Sequence, residues 1–587
     1  MRRRVRGFAV VIVSLAFLAP ATSAGAAADG AEPLPLERLF DSTAVSDDAR
    51  PDVADFDGAG ASLSAQDLTA AGWTPGRALT VQGARLTWPR RQPGEPDNVR
   101  ADGQAVRVGG RGNALAFLVT GTGGTDVSGT GSVSYRNGTR SPYRLTAPDW
   151  RAGPLATKAV ALPHINTPTG RLAGQAKLYV VTVPLVPGRE VTSVQLPRAA
   201  GMHVFALAVR ASAGGWTGSW AAATSGYPTV GPWSDRTVRL VVHTSAGGPR
   251  VRLRFDNTFA GAPVRIGSTT VAVQAAGATA RDVPVAVSFG GAAGVQIPAG
   301  AQVFSDPLAF VVPPDANLLV SFHLPDTVAA LPMHRLAVQR SYVSEPGDHA
   351  AEGSATAYTT TLPNWPLLTG VDVGGGPGSV VALGDSITDG TMSTQDANRR
   401  WPNVLAARLL QQDAVPHYGV LNQGISGNQV VTDSYSGDGV STNTAGVSAL
   451  NRLDRDVLAQ TSARTAIVFE GVNDVRWQNT AERVIAGLRE IADRGHARGL
   501  RMLVATILPC EGEVRCTAAV DAERSAVNAW IREGGVFDGV IDFDSVVRDP
   551  ARPARMLPAY DSGDHLHPGD AGLAALAGAV DLRALVP

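Results

Sequence analysis

Short apolar or alternating runs, separated by clusters of Gly, Pro, Asn and Asp, fill residues 40–370. Such punctuation predicts many short strands with regular turns, the pattern of β-sandwiches. The runs 114–120, 204–209, 238–243, 251–255 and 318–323 read as strands. Asn137-Gly138, after the run 132–135, signals a hairpin, because both residue types tolerate the positive φ of tight turns. One short helix is predicted at 64–71, with Ser64 as its N-cap and Gly72 as its stop. A Ser-Ala-Gly-Gly break at 212–215 divides the region into two expected sandwiches, 40–212 and 213–370, with no convincing repeat between them.

Beyond about residue 378 the rhythm becomes strand–helix alternation. Strands are predicted at 379–383, 417–421, 465–469, 502–508 and 540–543. Helices are predicted at 399–411, 445–460, 481–497, 521–533 and from Asp570 onward. This alternation predicts a parallel sheet covered by helices on both faces, a third domain over 371–587. In open sheets of this kind the site lies outside the carboxyl ends of the strands, so the loops after them are where chemistry is expected.

The first residues change the compartment. Arg2, Arg3, Arg4 and Arg6 precede an apolar run, 8–19, that is shorter than the roughly 20 residues needed to span a bilayer. Pro20 ends the run, and Thr22-Ser23-Ala24 supplies small residues at a cleavage site. Residues 1–24 therefore read as a secretory signal peptide and 25–39 as a linker, with a retained anchor as the alternative. Cleavage lowers the basic residues from 51 to 47 against 52 acids, taking the formal charge from −1 to −5. The mature chain is expected to be secreted, with no integral membrane segment.

Composition excludes several classes. With 65 Gly and 39 Pro in 587 residues, the chain stays below the roughly 25–30% that marks low-complexity sequence. The near-neutral charge provides no whole-chain field for a nucleic acid. Two cysteines rule out a disulfide scaffold and a four-Cys zinc site. Export makes a local Cys510–Cys516 disulfide the expectation over two free thiols.

The loops after the predicted strands carry four motifs. Gly384-Asp385-Ser386 places a hydroxyl at the rim of the sheet, and a helix dipole there favours negative charge. Alone it reads equally as a cap or turn. Asn422 to Asn428 includes Gly427, whose N–H can donate to an oxyanion; an ordinary turn is the alternative. Glu470-Gly471-Val472-Asn473-Asp474 offers the Asn473 amide as a further donor, or as an Asx turn. In Asp564-His565-Leu566-His567 the carboxylate of Asp564 can orient the His567 imidazole, and His567 can take a proton from Ser386. A metal site from His565, His567, Asp561 and Asp570 is the competing reading of that last segment. Asp385, Asn428, Asp474 and Trp477 are candidate pocket residues, with capping and packing as the alternative.

Taken together, these blocks resemble the SGNH (also called GDSL) hydrolase family over about the last 210 residues. The resemblance rests on Gly384–Ser386, Gly427, Gly471–Asp474 and Asp564–His567. It implies a three-layer α/β/α, flavodoxin-like fold and a Ser386–His567–Asp564 serine esterase. It also implies an oxyanion hole from the Ser386 and Gly427 N–H groups and the Asn473 side chain. Residue 388 is Thr, so the block is not the Gly-x-Ser-x-Gly elbow of the α/β-hydrolases. The region 40–212 resembles a β-sandwich module of secreted actinobacterial carbohydrate-active enzymes. That likeness rests on Phe56-Asp57-Gly58, Leu86-Thr87-Trp88-Pro89, Pro96-Asp97-Asn98-Val99, Ala101-Asp102-Gly103-Gln104 and Asp149-Trp150. Its Trp73, Trp88 and Trp150 can stack on sugar rings or pack in a core.

The expected fold is two N-terminal all-β sandwiches followed by a three-layer hydrolase domain. The expected function is hydrolysis of carboxylic esters through an acyl-enzyme, on short acyl (acetyl) groups of carbohydrates such as polysaccharides. Lipid and lysophospholipid esters are the alternative substrates. A carbohydrate-binding or adhesion protein with a silent hydrolase domain is the alternative of another class. No cofactor, metal or nucleic acid is expected, and the sequence does not fix an oligomeric state.

Overall fold

In the strand Ala105–Gly121, successive side chains face opposite sides, as extended backbone dictates. Leu115, Phe117 and Val119 enter one apolar core with Val133, Tyr143 and Leu145. Ala116 and Leu118 enter another with Trp73, Leu178 and Phe205. Both faces are covered, which is why 114–120 reads as an unbroken apolar run. This strand belongs to a ten-stranded sheet. These features come from a computed structural model that describes residues 32–434 and 445–587. The expected leader, 1–24, and the start of the linker lie outside the described residues.

Local signals map onto local structure. Val127–Tyr135 and Arg140–Ala147 pair antiparallel around Gly138, whose φ is +81°. The short helix spans Ala65–Ala70, and Ser64 Oγ accepts from the Asp67 N–H at 3.1 Å.

The next region has two seven-stranded sheets. Leu253, Phe255 and Val371 of one share a core with Leu240, Val320 and Phe322 of the other. The division at residue 212 is crossed by strand pairing. The hairpin of Ala78–Val81 and Ala84–Thr87 leaves the first region and joins the sheet of Gln302–Phe304, with Thr80 opposite Gln302. A free strand edge gains ladder hydrogen bonds by such an addition, and strand periodicity alone does not say which edge it takes. Residues Pro33–Pro587 form one compact unit.

The C-terminal domain contains a five-stranded parallel sheet. Its strands are β1 (Ser379–Gly384), β2 (Gly419–Gly424), β3 (Ala463–Phe469), β4 (Arg501–Ala505) and β5 (Gly539–Ile541). The spatial order is β2-β1-β3-β4-β5, the flavodoxin-like order. Period-two alternation again builds two cores. Val381, Leu383, Ala466, Val468 and Val504 face Val484, Leu488 and Ile531. Val380, Ala382, Ile467, Phe469 and Leu503 face Trp401, Leu405 and Leu573.

The helices are α1 (Ser386–Asp389), α2 (Trp401–Leu410), α3 (Ala449–Leu453), α4 (Val472–Arg476), α5 (Ala481–His496), α6 (Ala518–Glu533), α7 (Phe543–Val547) and α8 (Asp570–Ala579). The helix expected at 445–460 is shorter. It starts after Ser448, which caps Asn451, and widens into a π-turn at Asp454–Leu458. The strand-rich region grips that turn, since Asp454 accepts from Thr182 Oγ1 at 2.6 Å and Leu458 O accepts from Arg210 at 2.9 Å. Helix α6 starts three residues before the expected 521 because Thr517 caps it. Among the described residues no helix is long and apolar enough to cross a membrane.

Candidate active site

The carboxyl end of β1 runs directly into α1, so Ser386 occupies the first turn of a helix. Its N–H belongs to the group of helix-start donors without an intrahelical acceptor. Asp385 caps the helix by accepting from Ile387 N–H at 2.9 Å. The close pass of β2 under α1 requires Gly424, where a Cβ would lie 2.2 Å from Asp389 N.

Three residues far apart in sequence meet here. Ser386 Oγ lies 2.8 Å from His567 Nε2, and His567 Nδ1 lies 2.6 Å from Asp564 Oδ2. Asp564 Oδ1 also accepts from the N–H groups of Leu566 (3.0 Å) and His567 (2.8 Å). Burial pushes the Asp564 carboxyl up, but these N–H bonds and the imidazole outweigh it and hold it at about 2. Asp564 is therefore an anion near neutral pH, able to fix the tautomer of His567 and stabilise its imidazolium.

Gly427 follows β2 with φ +86°, a conformation that a side chain would strain. Asn473 lies at the start of α4 after β3. Its Nδ2 donates to Asn428 O at 2.9 Å, and its Oδ1 accepts from Arg476 at 3.0 Å. An amide nitrogen carries two hydrogens, so one remains for a further acceptor. Asp474 holds the Gly427 loop from below, accepting from Val430 N–H (2.8 Å) and Val431 N–H (3.2 Å).

Of the four pocket candidates, three are supports. Asp385, Asn428 and Asp474 are buried. Asn428 Nδ2 donates to Ala445 O and Val447 O, and its Oδ1 accepts from Arg452. Their polar atoms are committed to the loops because a buried polar group needs a partner. Trp477 is different: it is 53% exposed, and the Arg515 guanidinium lies 4.0 Å from its ring centroid. Cys510 and Cys516 are bonded and close a short loop after β4. Among the described residues no group of three or more His, Cys, Asp or Glu is gathered as a metal ion would need. His565 Nδ1 pairs with Asp561 at 2.6 Å, and Asp570 accepts from Thr394 and Arg399. Trp73, Trp88 and Trp150 are buried, with Trp88 stacked on Phe205 and Trp150 edge-on to Phe56. They are core residues, which selects the packing reading over sugar stacking.

The sequence motifs did not reveal two further groups. Asp389, three residues after Ser386 on α1, accepts from Ser426 N–H (3.0 Å) and Oγ (2.7 Å), just before Gly427. His334, from the strand-rich region, reaches Asp389 at 2.9 Å. The i+3 spacing of Asp389 from Ser386 was a signal; His334 had none.

The family model of the GDSL-like lipase/acylhydrolase family matches residues 382–575, which span the whole of this arrangement. This segment is a GDSL-like lipase/acylhydrolase domain. The chain is thereby a carboxylic ester hydrolase. No curated protein matches it. Solved structures similar to the GDSL domain include an acetylxylan esterase from Geobacillus stearothermophilus, at 21% identity over 35% of this chain and 93% of that one, TM-score 0.26. Others are a GDSL-like lipase from Bacteroides thetaiotaomicron, at 17% identity over 34% and 84%, TM-score 0.24. A lipolytic G-D-S-L family member from Veillonella parvula follows at 16% identity over 34% and 94%, TM-score 0.24.

Proposed function

We propose that this chain is a secreted serine esterase that removes short acyl groups, acetyl foremost, from carbohydrates. The observation that carries the mechanism is the hydrogen-bonded line from Ser386 through His567 to Asp564, with 2.8 and 2.6 Å links. His567 takes the Ser386 proton as Oγ attacks the ester carbonyl. The tetrahedral oxyanion is held by the N–H groups of Ser386 and Gly427 and the spare hydrogen of Asn473 Nδ2. His567 then protonates the leaving alcohol, and water hydrolyses the acyl-enzyme with His567 as base. Preorganised donors act without reorganisation cost, and each typically contributes about 10²–10³ in turnover.

The carbohydrate substrate is supported by Trp477, an exposed indole one turn beyond Asn473. Arg515 lies over one face of that ring, and the exposed remainder offers a stacking surface to a sugar. The leader-like 1–24 supports secretion. Purified enzyme should be assayed on acetylated polysaccharides, on p-nitrophenyl esters of increasing chain length and on phospholipids. The proposal expects acetyl esters to give the highest kcat/KM, with activity falling as the chain lengthens. Preference for long acyl chains or phospholipids would replace it with a lipase.

A further inference from the structure

We infer that Arg476, held by Glu513 of the disulfide loop, is a positioning residue that sets which end of the Asn473 amide faces the substrate oxyanion. This rests on the esterase reading above and deepens it.

An amide side chain has two similar ends, one a donor and one an acceptor. Only the Nδ2 end can stabilise an oxyanion, so a flipped Asn473 would present an oxygen to a developing negative charge. Two neighbours select the orientation. Asn428 O can only accept, and it takes a hydrogen from Nδ2 at 2.9 Å. The guanidinium of Arg476 can only donate, and it gives a hydrogen to Oδ1 at 3.0 Å. Flipping the amide would set nitrogen against guanidinium and oxygen against carbonyl, breaking both bonds at once.

Arg476 is itself fixed. Its side chain is 9% exposed, and Glu513 grips it with both carboxylate oxygens, at 2.9 Å to one terminal nitrogen and 3.1 Å to Nε. Glu513 also accepts from Arg515 N–H at 2.9 Å. Burial pushes the Glu513 carboxyl up, but the Arg476 bond and the Arg515 N–H outweigh it and lower it, so it pairs as an anion. The loop bearing Glu513 is closed by Cys510–Cys516. It also touches the other half of the site, since a Cβ on Gly512 would lie 2.8 Å from the His565 ring, two residues from His567. The disulfide loop thus packs against the segment of the acid–base pair and aims the oxyanion donor.

The test is a double-mutant cycle in the full-length oxidised enzyme on a p-nitrophenyl acetate substrate, with thermal unfolding followed in parallel. Arg476→Met should lower kcat by about ten-fold or more, toward the roughly 10²–10³ of a lost oxyanion donor, with KM little changed. Arg476→Lys keeps one donor and should recover part of the loss. Glu513→Gln should act in the same direction more weakly. In an Asn473→Ala background, Arg476→Met should cost less than about two-fold, because no amide is left to aim. An equal loss of kcat in both backgrounds would make Arg476 a structural residue and overturn the inference. If Arg476→Met does not fold, Glu513→Gln and Arg476→Lys are put through the same cycle and decide on the same criterion. Ser386→Ala separates the two claims. Activity surviving in Ser386→Ala overturns the esterase reading, whereas a dead Ser386→Ala with an additive cycle overturns only the role of Arg476.

Discussion

His334 Nε2 lies 2.9 Å from Asp389 Oδ1, and this one pair ties the strand-rich region to the loop that carries Gly427. Both partners are almost fully buried. The other ring nitrogen of His334 faces Ala223 O at 2.9 Å, so both nitrogens meet acceptors. Asp389 passes the restraint on through its two bonds to Ser426. The middle region therefore braces the site.

Removing His334 leaves the buried Asp389 carboxylate short of one hydrogen-bond partner, which typically costs about 1–3 kcal/mol. His334→Leu is expected to lower Tm by several degrees and kcat by roughly ten-fold as the Gly427 loop loses its anchor. Calorimetry and steady-state kinetics check this. An unchanged kcat would show that the brace serves stability alone.

Asp564→Asn keeps size and most hydrogen bonds but removes the charge that orients His567. Turnover should fall by about 10⁴ with the fold intact. Because the wild-type carboxyl is held at about 2, the wild-type activity profile should show no step at the ordinary carboxylate value of about 4. A step there would mean that Asp564 is not held as described.

Beneath Ser386 lies a cluster of buried acids whose charge the fold resists. Burial pushes Asp385 up to about 7 and Asp474 up to about 6. Burial, reinforced by the facing Asp385, raises Glu470 well above its ordinary value. A carboxyl with a raised folded pKa binds its proton more tightly in the native state. Its stabilisation is complete below the unfolded value of about 4 and is lost as pH rises through the folded value. Tm should therefore fall between about pH 4 and about pH 7 from this cluster. Asp385→Asn retains a capping oxygen and removes one charge, so it should raise Tm at about pH 8 and change it little at about pH 4. A mutant Tm that moves equally at both pH values would contradict this.

The central strands of the sheet were legible because they are apolar runs covered on both faces, and the longer helices carry a cap or a periodic apolar stripe. Val380 to Gly384 and Ala466 to Phe469 are examples. The motif residues stood out because chemistry at strand ends restricts residue type strongly; hydrogen bonds join Ser386, His567 and Asp564, and Gly427 and Asn473 follow β2 and β3. Long-range partnerships were not legible. Nothing local marks His334 as the partner of Asp389, or Thr80 as the neighbour of Gln302, since packing of separate elements decides both. The tryptophans of the first region were ambiguous because an indole suits a core and a sugar face equally, and burial resolved them.

Ser386 as the nucleophile of an acyl-enzyme is tested by hydrolysis of p-nitrophenyl acetate by wild type and Ser386→Ala, with mass spectrometry after a serine-reactive phosphonate. Ser386→Ala should lose nearly all turnover, and the wild type should carry a single adduct, on Ser386. Wild-type rates in Ser386→Ala, or an adduct on another residue, would contradict it.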